Sequence, residues 1–91
     1  MTFIPEYPKD PDATIDYGVD WALWLDGDTI SSSNWTAATG VTIDSNTNTT
    51  TSTTVWLSGG TAGLSYEVTN RVVTAGGRTD DRTILISVAD R

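Results

Sequence analysis

Any chemistry in this chain must rest on carboxylates, hydroxyls and indoles, because its 91 residues include no histidine and no cysteine. The usual nucleophile–base partners and the usual transition-metal ligands are therefore missing. Two carboxylate pairs, Asp10-Pro11-Asp12 and Asp26-Gly27-Asp28, flank a segment that also carries Asp16 and Asp20. Oxygens grouped like this can ligate calcium. As a glycosidase-type acid–base pair they would need to stand roughly 5–9.5 Å apart across a cleft, and no residue pattern supplies one. Neither pair has the spacing of an EF-hand loop. Asp-Pro and Asp-Gly are turn formers in which the Asp side chain bonds the backbone two residues on, and the turn reading is favoured. The expectation is a protein with no catalytic residue, no metal ligand and no cofactor. The glycine pairs at 59–60 and 76–77 are not a phosphate cradle, since neither leads into Lys-Ser/Thr or opens a helix.

The aromatic side chains are the stronger signal, with four tryptophans in a short chain. Trp21 continues an alternating apolar face and belongs to a core. Trp35 is expected to line the second face or cap an end. Trp56 is out of phase with Val55 and Leu57. It and Trp24 either serve the fold or stack on a partner, whether a sugar ring or a protein surface. Tyr66 follows the turn ending at Gly63 and opens a long alternating segment. A tyrosine at that place in an immunoglobulin-like sandwich bonds its hydroxyl back to the chain a few residues upstream.

Charge is unevenly placed. Residues 1–44 carry eight acids and one base, Lys9, whereas residues 45–91 carry four acids and four arginines, so the first half holds all of the net −7. This argues against binding nucleic acid or an anionic membrane, which require basic patches. An acidic half can face a basic protein partner or simply solubilise strands and loops. No run approaches the ~20 apolar residues of a membrane span. Residues 1–5 lack the basic and apolar regions of a signal peptide, so a cytosolic protein or a particle assembled in the cytosol is expected.

The positioning elements read as strands. Threonine is abundant, helix-building residues are scarce, and the pattern is all-β. Prolines at 5, 8 and 11 predict an extended polyproline-like arm over residues 1–11, carrying Phe3, Ile4 and Tyr7 and docked on its own domain or on another chain. A domain over residues 12–91 follows. Ile15, Tyr17, Val19 and Trp21 alternate as a first strand. Trp24-Leu25 suits a bend or one helical turn, and residues 26–28 a turn. A second strand spans 29–35 with a bulge at Asn34, then a short strand covers 41–43. The Ser/Asn/Thr run 45–52 is a hairpin tip, or the water-facing edges of two strands, joining 41–43 to 53–57. Two Gly-rich turns then separate residues 53–57, 64–74 and 83–88, the signature of a β meander. The predicted core is Ile15, Val19, Trp21, Ile30, Val55, Leu57, Tyr66, Val68, Val72, Ile84, Ile86 and Val88. About seven strands suit an antiparallel immunoglobulin-like sandwich, with a small barrel as the alternative.

Several of these residues carry a family likeness. Asp10-Pro11-Asp12, Asp16-Tyr17, Asp20-Trp21, Gly27-Asp28-Thr29-Ile30 and Trp35 resemble the opening of small virion proteins of tailed bacteriophages described as fibre–tail adaptors. The run from Thr54 to Gly63, with Tyr66, Thr69-Asn70-Arg71 and Gly76-Gly77-Arg78-Thr79, is similar to the same family. The resemblance implies an Ig-like sandwich in the virion, assembled in the host cytoplasm, joining the tail to a fibre or other peripheral part without catalysis or cofactor. Its partners would be other virion proteins and copies of itself, met through Phe3, Ile4, Tyr7, Trp24, Trp56 and Arg78. The competing readings are a capsid decoration protein of the same fold and a carbohydrate-binding module using Trp24 or Trp56.

Overall fold

The computed structural model describes residues 5–90. Strands β1 (Glu6–Lys9), β2 (Ile15–Asp20), β3 (Ile30–Ala37), β4 (Val41–Asn48), β5 (Ser52–Gly59), β6 (Ser65–Thr74) and β7 (Thr79–Val88) form two sheets, with one helical turn, α1 (Ala22–Leu25), between β2 and β3. The first sheet has the order β1-β7-β6-β3 and the second β2-β5-β4. All pairings are antiparallel except β1 with β7. The orders β7-β6-β3 and β2-β5-β4 match the G-F-C and B-E-D strands of an immunoglobulin domain, so the sandwich is immunoglobulin-like and not a barrel.

The tyrosine corner is present. Tyr66 is buried at the start of β6, and its hydroxyl accepts the Thr61 N–H at 2.9 Å. Its ring needs bare backbone beside it. A Cβ on Gly40, where φ is +120°, would stand 2.5 Å from the Tyr66 ring. Val68, two residues on, occupies the place of the second cysteine of antibody domains, and Trp35 lies on the strand that carries their tryptophan.

The core has two parts. The main cluster gathers Tyr17, Val41, Val55, Leu57, Tyr66, Val68, Ile84, Ile86 and Val88, with Tyr7, Val19, Trp35, Ala37 and Ile43 packed against it. A second cluster, Trp21, Leu25, Ile30 and Val72, fills the α1 end. The inward face of β6 spans both, running Tyr66, Val68, Asn70, Val72, Thr74. Asn70 is the polar residue between the clusters, and its amide makes four hydrogen bonds. Its Oδ1 accepts from Trp21 Nε1 at 3.0 Å and from Thr53 Oγ1 at 2.7 Å, and its Nδ2 donates to Ser33 Oγ at 2.9 Å and the Asn34 carbonyl at 3.1 Å. Four is the full capacity of a carboxamide, so its burial leaves nothing unpaired.

Several expectations change. Glu6–Lys9 of the expected arm is a sheet strand docked on its own domain, one of the two placements expected for it. The Leu85 N–H donates to the Pro5 carbonyl, the Ala89 N–H to the Lys9 carbonyl, and the Tyr17 hydroxyl to the Pro8 carbonyl. Proline is compatible with this because β1 is an edge strand, where a missing N–H leaves no ladder bond unmade. Lys9 is buried, its ammonium donating to the Gly59 carbonyl at 2.7 Å and the Asp10 carbonyl at 2.9 Å. Ile15 leaves the predicted core: it begins an edge strand and is 40% exposed. Val19 is only half-buried, and Tyr17, Leu25 and Val41 join the core instead. The irregularity in β3 lies between Ile30 and Ser32, not at Asn34. β4 continues through Asn48 after a register shift between Ile43 and Ser45, so most of the Ser/Asn/Thr run is a water-facing strand. β7 begins at Thr79, earlier than the apolar alternation indicates.

Replacing Asn70 by Leu keeps the volume but strands the Trp21 indole N–H and the Thr53 hydroxyl. Urea unfolding of the variant is expected to show a loss of about 2–4 kcal/mol. A loss below about 1 kcal/mol would mean the network is not a main support.

Candidate protein-interaction surface

The loops at the α1 end are bound into one unit. Four residues are too few for a free helix, so α1 depends on its surroundings. Trp21 and Leu25 lie four apart and both point into the second cluster. The Trp21 N–H donates to the Thr51 carbonyl, and the Ile30 N–H to the Thr50 carbonyl. The β4–β5 tip thus holds both flanks of the β2–β3 connection. That tip is set by Thr49, whose hydroxyl accepts the N–H groups of Thr51 and Ser52 at 3.2 and 3.0 Å. The Ser/Asn/Thr run, which had no sequence-based role, therefore supplies backbone acceptors.

Arg78, from the β6–β7 turn, closes the unit. Its Nη1 donates to the Trp24 carbonyl at 3.1 Å, its Nη2 to the Leu25 carbonyl at 2.6 Å, and its Nε to Asp28 Oδ2 at 3.3 Å. The carbonyls it meets are among those left open at a helix C-terminus, where positive charge is favourable. Its guanidinium also lies 4.3 Å over the Trp24 ring. Trp24 meets Trp21 edge-on at 5.2 Å, and Arg82 covers Trp21 at 4.2 Å. Stacked cations and rings of this kind each contribute about 0.5–2 kcal/mol.

Asp28 is the acidic anchor opposite Arg78. Its Oδ1 accepts the N–H groups of Thr29 at 2.8 Å and Gly76 at 3.0 Å. Hydrogen bonding from the Thr74 side chain and the Thr29 amide, with lesser help from the Gly76 amide and Arg78, holds its carboxyl at about 2 instead of 3.8 against the opposing effect of desolvation. The other expected Asp turn also forms, with Asp10 Oδ1 accepting the Asp12 N–H at 2.8 Å. Among the described residues, no group of three or more acidic side chains is placed to hold a metal ion.

The six residues expected at an interface are dispersed. Phe3 and Ile4 lie outside the described residues. Tyr7 is half-buried, its ring 5.7 Å from Tyr17 against the main core. Trp24 and Arg78 come together at the α1 end, where Arg78 covers one face of the Trp24 ring. Trp56 stands apart on β5, 40% exposed and in register with Asp16 and Ser45. Trp35 packs on the main core, its Nε1 buried with no partner among the described residues. On the outer face of the first sheet, Arg71 and Asp81 pair at 2.7 and 3.0 Å beside a hollow lined by Asn34, Thr36 and Thr69. Two exposed large apolar residues were not among the candidates, Leu64 at 53% exposed and Leu23 at 98%. Helical phase gives it away once residues 22–25 form a turn, because Leu23 then lies opposite the Trp21–Leu25 face.

Lysine at position 78 keeps the charge but not the fork that meets two carbonyls and a carboxylate. Arg78→Lys is expected to lower stability by about 1–2 kcal/mol in denaturant melts and to alter tryptophan fluorescence as Trp24 is uncovered. Asp28 gives a pH signature. Its folded value lies below its ordinary one, so its stabilisation is present above 3.8 and is lost as pH falls from 3.8 to about 2. Asp28→Asn is expected to be less stable than the parent at neutral pH and to lose less stability over that acid interval. Parallel thermal-melt slopes for the two proteins there would contradict this assignment.

No curated protein matches the chain. A family model described as podophage GP4 fiber-tail adaptor protein gp77 matches residues 9–87. That span runs from the last residue of β1 to the penultimate residue of β7 and so takes in the second core cluster, the main cluster apart from Val88, and the Arg78 unit. With most of its length matched and the fold of a two-sheet sandwich, this chain belongs to the podophage GP4 fiber-tail adaptor family.

Proposed function

We propose that this protein is a structural part of a bacteriophage virion that joins the tail to a fibre or another peripheral component. The observation that carries the reading is the family match over residues 9–87, whose description names both a fibre and a tail. That description favours the tail over the capsid shell. The chemistry of the chain fits a mechanical role, since histidine and cysteine are absent from its sequence. Its partners are other virion proteins, with copies of itself as a further possibility, and it enters the particle during assembly in the host cytoplasm.

A joining piece must hold its contact surfaces in fixed relation while load passes through it. Two features support such a role. The antiparallel β6–β7 pairing, in register from Ser65↔Ser87 to Val73↔Thr79, spans the sandwich from the tyrosine corner to the Arg78 unit. At the corner end, Lys9 and the β1 carbonyls tie the edge strand to β5 and β7. Binding surfaces at the two ends would therefore be linked through paired backbone.

Phage particles assembled without this protein are expected to retain filled heads and to lack fibres, and gold-labelled antibody to the wild-type protein is expected to decorate the tail. Labelling across the capsid shell, with fibres still attached in the deletion, would replace this reading with capsid decoration.

A further inference from the structure

Leu23 is an apolar side chain that the fold places outside and does not use. A single exposed leucine is ordinary on a soluble protein and means little by itself. This one has an unusual setting. Its backbone is fixed before any partner arrives. The Leu25 N–H donates to the Trp21 carbonyl, the Asp26 N–H to the Ala22 carbonyl, and Arg78 holds the carbonyls of Trp24 and Leu25. A contact made through Leu23 would therefore cost little ordering of the chain, which is where preorganised surfaces gain affinity.

The charges that flank α1 in the sequence have one sign. Asp20 and Asp26 precede and follow α1, and both are exposed. The nearby cations are engaged within the fold, although Arg78 stays partly exposed: Arg78 lies on the Trp24 ring and Arg82 on the Trp21 ring, with Arg82 Nη1 donating to the Asp20 carbonyl at 3.0 Å. Leu23 is thus an apolar knob between two carboxylates. Two copies meeting symmetrically through this end would bring those carboxylates together, in a chain of net charge −7.

We propose that Leu23 docks into an apolar socket on a different virion protein, and that lysines or arginines on the socket rim face Asp20 and Asp26. This rests on the adaptor reading and deepens it by naming the contact end, the anchoring side chain and the chemistry of the partner. Burial of a rigidly presented anchor supplies affinity, and the charged rim supplies orientation and salt dependence.

The test uses the full-length protein and purified particles of the source phage assembled without it, with binding measured by co-sedimentation. Leu23→Gln keeps a good helix former at an exposed site, so its melting temperature should equal that of the parent. It is expected to weaken particle binding by at least about tenfold. Leu23→Met is expected to bind like the parent. Asp20→Asn with Asp26→Asn is expected to bind more weakly and to remove the loss of affinity seen on raising salt from about 50 to about 500 mM. Parental binding by Leu23→Gln would overturn the proposal and leave the adaptor reading standing. Failure of the wild-type protein to bind the particles would overturn both. Self-association in sedimentation equilibrium that Leu23→Gln abolishes would make the occupant a second copy and overturn the choice of partner.

Discussion

One carboxamide, buried between two hydrophobic clusters, holds the sandwich in a single arrangement. Asn70 sits on the inward face of β6, with Val68 in the main cluster on one side and Val72 in the second cluster on the other. Its bonds reach Trp21 beyond β2, Thr53 on β5, and Ser33 and Asn34 on β3. Both sheets are therefore tied through one side chain. An apolar residue at this place would pack, but it would leave the Trp21 indole and the Thr53 hydroxyl without a partner in a dry interior, where each orphan costs about 1–3 kcal/mol. The network fixes how far β2 and its tryptophan advance along β6, and so where α1 begins.

From that fixed point the two ends of the molecule divide the work. At the corner end, Tyr66, Gly40 and the Lys9 ammonium close the sandwich with contacts to backbone. Antibody-type domains use a disulfide across the sheets, whereas this chain has valine at the corresponding β6 position and no cysteine anywhere. At the α1 end, Arg78 and Asp28 join the β6–β7 turn to the β2–β3 connection. The corner end is finished by shape and the α1 end by polar geometry, and the second kind of surface offers charge and fixed side chains to a partner.

The sequence pattern was a good guide wherever a strand buries one face. In β6 and β7 the alternation of Val and Ile with polar residues names the inward side, because a register slip of one residue would turn that whole set to water. Tyr66 could be assigned from its position after a glycine turn. The pattern failed where burial depends on a strand's neighbours. Ile15 alternates correctly but opens an edge strand, so it is only partly covered. Lys9 reads as a solvated base, yet its stem is buried and its ammonium meets two carbonyls. The prolines suggested an extended arm docked on its own domain or on another chain, because their spacing does not reveal that a sheet edge is waiting where the missing N–H groups are harmless.

By itself, then, the sequence determined the class of fold, the inward face of the long strands, the corner tyrosine and the absence of thiol and imidazole chemistry, because each follows from residue type or a period of two. Only the tertiary structure decided the rest: that β1 joins β7, that Asn70 is shared by both sheets, that Arg78 is a clamp on α1, and that Leu23 faces out between two acids. These depend on contacts between residues as far apart as Trp24 and Arg78. A local pattern cannot encode such pairings, since they exist only once the two sheets have packed and brought distant loops to the same end.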